Sequence, residues 1–375
     1  MRLVCLALLA SSALSSAVFG QTPPLVMSEA MVQSSDPGIQ ISVRNKHAAD
    51  MTSFSPDRTL LFIHGATYPA ETGFDLPIEG VSMMDLFAQN GFDVYLVDVR
   101  SYGRSTRPPE MDEPPEADKP IANSEEAGRD LGAAVDYILA LRAIPKLDLM
   151  GWSWGTSIAG NYTSQHNDKV NRLVLYAPAW TVQSPLAPPA SAIPAYRLVK
   201  KEAAKARWTR GVPEDKVGAL IPPGVFDRWW DATIATDPVG SKIDPPMLRA
   251  ANGATAEFVD YWLAGKPYYD PGNITVPTLL IHAEWDADLP TYMAEAYFAS
   301  LTSAPYKRFV QIGEGTHSVM LEKNRMQFFH EILGFLTESD AIALKSQLGF
   351  DPRAYKLRPG KVGFPATPGG RGIRS

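Results

Sequence analysis

Cysteine is almost absent from this 375-residue chain: the only one is Cys5, and histidine occurs just six times. Cys5 falls in "MRLVCLALLASSALSSAVFG", the first twenty residues, where Arg2 precedes an apolar stretch from Leu3 to about Leu14 and small residues follow. That is the layout of a secretory signal peptide over residues 1–20, with cleavage expected near Gly20 and a secreted or periplasmic destination. The mature chain would then hold no thiol, which excludes disulfides, a thiolate nucleophile and cysteine-ligated metals together. Beyond the leader no run reaches the ~18 apolar residues a spanning helix needs, so no membrane insertion is expected once it is removed. Neither sign of charge dominates: 35 Lys and Arg against 41 Asp and Glu leave a net charge of −6. This argues against an electrostatic grip on nucleic acid or anionic lipid. His47, His166, His282 and His330 lack ligand-like spacing with acids, so neither metal nor cofactor is expected. What remains is small-molecule chemistry.

The chain is long enough for one large domain with an insertion. "LVMSEAMVQ" and "IQISVRNKH" read as edge strands, and "TLLFIHG" as a strand buried on both faces. "SMMDLFAQNG" reads as a helix stopped by Gly91, "FDVYLVDVR" as a buried strand, "AGRDLGAAVDYILALRA" as a helix and "KLDLMGWS" as a strand. The helix "GTSIAGNYTSQH" and the strand "VNRLVLYAPA", ending near Ala179, continue the alternation. Strand and helix in turn imply a mostly parallel sheet covered on both faces, an α/β fold. Residues 181–275 break the rhythm. They show no convincing buried strand, many prolines, and helical stretches such as "AYRLVKKEAAKARW" and "ATAEFVDYWLAG", which suggests a helical cap inserted into the sheet domain. Alternation resumes with "VPTLLIHAEWD", "YMAEAYFASL", "YKRFVQIGEG" and "MLEKNRMQFFHEILGFL". The expected core is thus 21–180 with 276–340. The Pro-, Gly- and Arg-rich extension 341–375 reads as extended or partly disordered.

One short stretch carries chemistry. "GWSWGTS" places Ser153 in a G-x-S-x-G pattern formed by Gly151 and Gly155. A chain of this length meets such a pattern by chance roughly one time in ten, so its setting matters. Here a buried strand turns sharply into a helix, a turn that needs small neighbours and lifts the hydroxyl above the sheet edge. A serine needs a base, and the base an acid. "EWDADLP" ends a later strand with Asp286 and Asp288, and "GTHS" follows the last strand with His317. Serine, acid and histidine follow in that order along the chain.

From about residue 58 to 337 the sequence therefore resembles the α/β-hydrolase superfamily. The resemblance rests on "FIHG", "VDVRSYGRS", "GWSWGTS", "EWDADLP" and "GTHS", met in the family's order. It implies that Ser153 attacks a carbonyl, His317 relays the proton and Asp286 orients the imidazole. Asp286 is preferred to Asp288 because it stands four residues before Pro290, as in the family's D-x-x-x-P pattern. The oxyanion would be held by the backbone amides of Ala66 and Trp154. Thr67 could add its hydroxyl there or spend it on a local turn, and His64 would be a structural member of that turn. Ser101 departs from the family, whose relatives often carry glycine at that position.

A serine at the elbow, where relatives acting at saturated carbon have aspartate, implies acyl transfer to water. Five tryptophans fall at or within the insertion. Trp180, Trp229 and Trp230 are candidate walls for an apolar or aromatic ester or lactone. Residues 181–275 hold 11 Lys or Arg against 10 Asp or Glu, which indicates no strongly charged substrate. Two rivals stand beside an exported esterase or lactonase. "GWSWGT" also resembles the elbow of proline iminopeptidase relatives, in which Glu202, Asp231 or Asp260 could hold a substrate ammonium. The other rival is a non-catalytic binding protein on the same fold.

Overall fold

A computed structural model describes residues 23–186 and 192–339. The leader expected over residues 1–20 and the extension expected over 341–375 lie outside these residues. The chain opens with an antiparallel pair, β1 (Leu25–Gln33) and β2 (Gln40–Ala48), and enters the core with β3 (Thr59–Ile63). Helices α1 (Ala70–Phe74) and α2 (Met83–Gln89) lead to β4 (Asp93–Asp98), and α3 (Ser124–Arg142) leads to β5 (Leu147–Trp152). Then come α4 (Trp154–Gln165) and β6 (Val170–Tyr176). Every side chain of β3, β4 and β5 is buried, as the continuous apolar runs require of strands covered on both faces.

Helix boundaries follow local chemistry. Ser82 and Asp85 form a reciprocal capping box at the start of α2, and Asn123 and Glu126 form another at α3. Just beyond α2, Gly91 adopts φ +80°, a left-handed stop that costs glycine nothing.

After β6 the chain leaves the sheet, but not as an all-helical excursion. "AYRLV" is β7 (Tyr196–Lys200), not the first turns of a helix; α5 (Lys201–Trp208) begins only after it. The segment continues through α6 (Val217–Leu220) and α7 (Val225–Ala235) to β8 (Met247–Ala251), which pairs antiparallel with β7, and then α8 (Gly253–Glu257). The expectation of no strand here is corrected. The five residues of β7 carry no period of two in polarity, and the helix-forming run behind them masked the strand. The sheet resumes with β9 (Thr278–Ala283), α9 (Thr291–Ser300), β10 (Lys307–Ile312) and α10 (Arg325–Thr337).

The eight-stranded sheet runs β1-β2-β4-β3-β5-β6-β9-β10, antiparallel at β1, β2 and β4 and parallel thereafter. The β2 strand is interior, so only β1 of the two expected edge strands is an edge. In the parallel part the register aligns the carboxyl ends: Ile63 lies beside Gly151, Gly151 beside Leu175, Tyr176 beside Ile281, and Ala283 beside Ile312. The loops after β3, β5, β6, β9 and β10 therefore leave from one edge, where such sheets place their sites.

Below that edge β5 carries Asp148, fully buried, with Oδ1 accepting from Asn171 Nδ2 at 2.8 Å and Oδ2 without a partner among the described residues. Burial pushes its carboxyl up to about 8. The folded chain thus holds a proton that the unfolded chain releases near its ordinary value of 3.8. The resulting stability is fully present below that value and is lost as pH rises through about 8. Asp148→Asn should remove up to ~1.4 kcal/mol per pH unit of this decline. Urea denaturation of both proteins at several pH values between these limits measures the difference, and equal slopes would refute it.

Candidate functional site

The loop between β5 and α4 is the sharpest turn at this edge. Ser153 sits there at φ 57°, ψ −123°, a conformation strained for any residue with a side chain. Its neighbours explain how it is tolerated. A Cβ on Gly151 would stand 2.3 Å from the Gly155 carbonyl oxygen, and one on Gly155 would stand 2.5 Å from the His64 oxygen. A Cβ on Gly65 would stand 2.8 Å from Ser153 Cβ. These glycines let the β3 and β5 turns touch, which larger residues would prevent. Ser153 N–H donates to the Tyr176 carbonyl at 2.9 Å, securing the elbow to β6.

The turn after β3 is set by His64, fully buried. Val99 N–H donates to its Nε2 at 3.2 Å, so the ring proton lies on Nδ1 and donates to the Gly65 carbonyl at 2.7 Å. Burial holds this imidazole down to about 4, and it stays neutral. The amides of Ala66 and Trp154, one in this turn and one heading α4, take no part in the hydrogen bonds among the described residues. Both residues line a cavity beside Ser153, and the amino-terminal end of α4 adds its dipole there. Thr67 contributes neither to that turn nor to the oxyanion position. Its hydroxyl oxygen accepts from Arg197 and Arg207.

On the other side, His317 Nδ1 lies 2.7 Å from Asp286 Oδ2. Asp286 Oδ1 accepts from the Asp288 and Leu289 amides at 2.9 and 3.0 Å, which fixes the carboxylate in one orientation. Asp288 points elsewhere, to Arg207 and Arg210. Of the two candidate acids, the structure brings Asp286 to the histidine. His317 and Ser153, each 8% exposed, line one cavity. No hydrogen bond joins Ser153 Oγ to His317 among the described residues, a looser arrangement common before substrate tightens such a site.

Several residues that support this arrangement escaped the sequence reading. Trp152 Nε1 donates to the His317 carbonyl at 2.9 Å, and Tyr176 Oη to the Thr316 carbonyl at 2.6 Å, so β5 and β6 both fasten the histidine loop. His282 Nε2 lies 2.7 Å from the Leu289 carbonyl, which ties down the acid loop. Glu322, fully buried, accepts from the Thr316 amide at 2.9 Å and from Trp208 Nε1 of α5 at 2.8 Å. Burial outweighs these donors and raises its carboxyl to about 7. Ser101, where a glycine was the familiar residue, adopts φ 75°, and this explains the preference for glycine at that position.

The candidate walls separate. Trp229 lines the cavity shared by Ser153 and His317, with Tyr68, Trp152 and Trp208. Trp180 packs edge-on against Tyr297 and Trp230 against Trp229, both buried, and neither lines the cavities beside Ser153. That first cavity measures about 20 Å³, room for about one water. A second, of about 310 Å³, adjoins it, sharing Ala66, Ser153, Arg207 and Asp288 and reaching over Trp154. Among the described residues no group of three or more His, Cys, Asp or Glu is placed to hold a metal, and no helix is long and apolar enough to cross a membrane.

The α/β-hydrolase-fold family matches residues 58–217, from the foot of β3 past the elbow. No curated protein matches the chain. A thermophilic esterase from Thermogutta terrifontis is 18% identical with a TM-score of 0.52, covering 83% of this chain and 100% of its own. CarC, a serine hydrolase involved in carbazole degradation, is 16% identical with a TM-score of 0.57, covering 83% and 99%. Est816, an N-acyl homoserine lactone degrading enzyme, is 16% identical with a TM-score of 0.55, covering 82% and 100%. At these identities the solved structures speak for fold alone. The match over residues 58–217 and these likenesses give the chain the α/β-hydrolase fold.

Proposed function

We propose that this protein is a serine hydrolase that cleaves a carboxylic ester or lactone of a small molecule through an acyl-enzyme on Ser153. The observation that carries the reading is the 2.7 Å His317–Asp286 pair, which faces the same cavity as a serine held in a strained elbow. Asp286 accepts a hydrogen bond from Nδ1–H, which leaves Nε2 to take the Ser153 proton as Oγ attacks the carbonyl carbon. The unengaged amides of Ala66 and Trp154 receive the oxyanion, and each such donor is typically worth roughly 3 kcal/mol of barrier. His317 returns the proton to the leaving oxygen, water enters, and the cycle runs again to release the acid. Tyr68, Trp208 and Trp229 give the small cavity aromatic walls suited to an apolar group. The leader read over residues 1–20 supports action outside the cytoplasm.

The iminopeptidase alternative loses its support. Glu202, Asp231 and Asp260 are exposed and line neither cavity beside Ser153. The larger cavity presents Arg197, Arg207 and Arg210, which would repel a substrate ammonium.

Ser153→Ala should lower kcat on 4-nitrophenyl acyl esters by at least ~1000-fold, and a fluorophosphonate probe should label the parent protein at Ser153 alone. Retained turnover in the variant would refute Ser153 as the nucleophile, and a parent protein that neither turns over the esters nor takes the label would be a binding protein on a hydrolase fold. Asp286→Asn preserves size but supplies a donor where Nδ1–H needs an acceptor. Its kcat should fall by about 1000-fold or more while Asp288→Asn stays within about tenfold. Steady-state kinetics of the two variants decides between the acids.

A further inference from the structure

The roomier space beside Ser153 sets charged groups among apolar walls. Its volume of about 310 Å³ is at the lower end of small-molecule sites. Three guanidinium groups line it, from Arg197, Arg207 and Arg210, against a single carboxylate, Asp288. Asp288 is already shared between Arg207 and Arg210. Arg197, on β7, forms no ion pair among the described residues. Its bonds go to neutral oxygens: the Ala251 carbonyl at 3.0 Å, Asn252 Oδ1 at 2.8 Å, Thr255 Oγ1 at 3.4 Å, and Thr67 Oγ1. A half-buried cation without a counter-charge is costly, and burial together with the neighbouring Arg207 pulls its pKa below the ordinary arginine value. A second observation points the same way. Trp262, 2% exposed, lines the same cavity, and its indole N–H has no acceptor among the described residues. Surplus positive charge and an unused donor beside a nucleophile call for an acceptor from outside the chain.

We infer that the substrate carries a carboxylate, and that Arg197 is a specificity-determining residue that receives it in the chamber bounded by Thr67, Thr255 and Trp262. The inference rests on the acyl-transfer reading of Ser153 and narrows it. One part of the substrate is small or apolar and faces Trp229; the larger part is an acid. The even balance of charge along residues 181–275 hid this, because most of the insertion's acids face solvent and the buried Asp237 and Glu257 lie outside the cavity, while three of its arginines line it.

The test compares mono-4-nitrophenyl glutarate with 4-nitrophenyl pentanoate, acyl chains of equal length that differ by a terminal carboxylate. The parent protein should prefer the glutarate by about tenfold or more in kcat/KM. Arg197→Met should abolish that preference, mainly through KM, and Arg197→Lys should keep part of it, because a point charge survives but the fork does not. Binding of free glutarate to Ser153→Ala, measured by calorimetry, should weaken at least about tenfold when Arg197→Met is added. Equal or slower turnover of the glutarate by the parent, together with no Arg197-dependent glutarate binding, overturns the carboxylate assignment and leaves the hydrolase reading intact. Glutarate binding through Arg197 without turnover of either ester or labelling of Ser153 has the opposite meaning: the anion site stands and the acyl-transfer reading falls. Inorganic phosphate is the control anion, and tighter binding than glutarate would assign the chamber to phosphate and overturn the carboxylate.

Discussion

Steric contact between two turns governs everything above the sheet edge. The β3 and β5 turns approach until the His64 carbonyl and the α4 backbone leave no room for side chains at Gly151 and Gly155, and Ser153 is forced into a left-handed backbone between them. That constraint raises the hydroxyl and also brings the Ala66 and Trp154 amides to the same side of it. Neither arrangement could be reached by a looser loop, because each depends on backbone groups whose direction is fixed by the strands they end. The parallel register supplies the rest: with the carboxyl ends of β3, β5, β6, β9 and β10 level, acid and histidine arrive at the serine without long connections.

Histidine chemistry divides along the same lines. His64, buried and neutral, spends both ring nitrogens on backbone groups, and its work is to shape a turn. His282 steadies the acid loop. Only His317 pairs with a carboxylate among these, and it does so with its backbone held by Trp152 from the strand that carries the serine. A single strand therefore positions both partners of the proposed proton transfer.

The fold was legible because its signals are local. Fully buried strands announce themselves as unbroken apolar runs, glycine marks the turns, and serine, acid and histidine fall at strand ends whose adjacency follows from the alternation. Asp286 over Asp288 was legible from spacing to Pro290, since the two acids stand two residues apart and only one faces the base. Arg197 was not. It is one of the residues of a short ribbon strand overshadowed by the lysine- and alanine-rich turns of α5, and its meaning lies in what it lacks, a counter-ion, which no count of charges along the chain can reveal. The tryptophans failed for a related reason: Trp180 and Trp230 fill space between helices, as aromatic residues often do, while Trp208, one of the insertion's five but not among the candidate walls, holds both a wall and a buried carboxylate.

Glu322 joins parts of the molecule that are remote in sequence. The same carboxylate takes the Trp208 indole of α5 and the backbone of Thr316, the residue before the histidine. A guest bulky enough to press α5 outward must pull on that anchor and, through it, on the imidazole. Crowding at the entrance is thereby converted into misalignment of the imidazole, so under the proposed mechanism oversized guests would be turned over slowly even where they still bind.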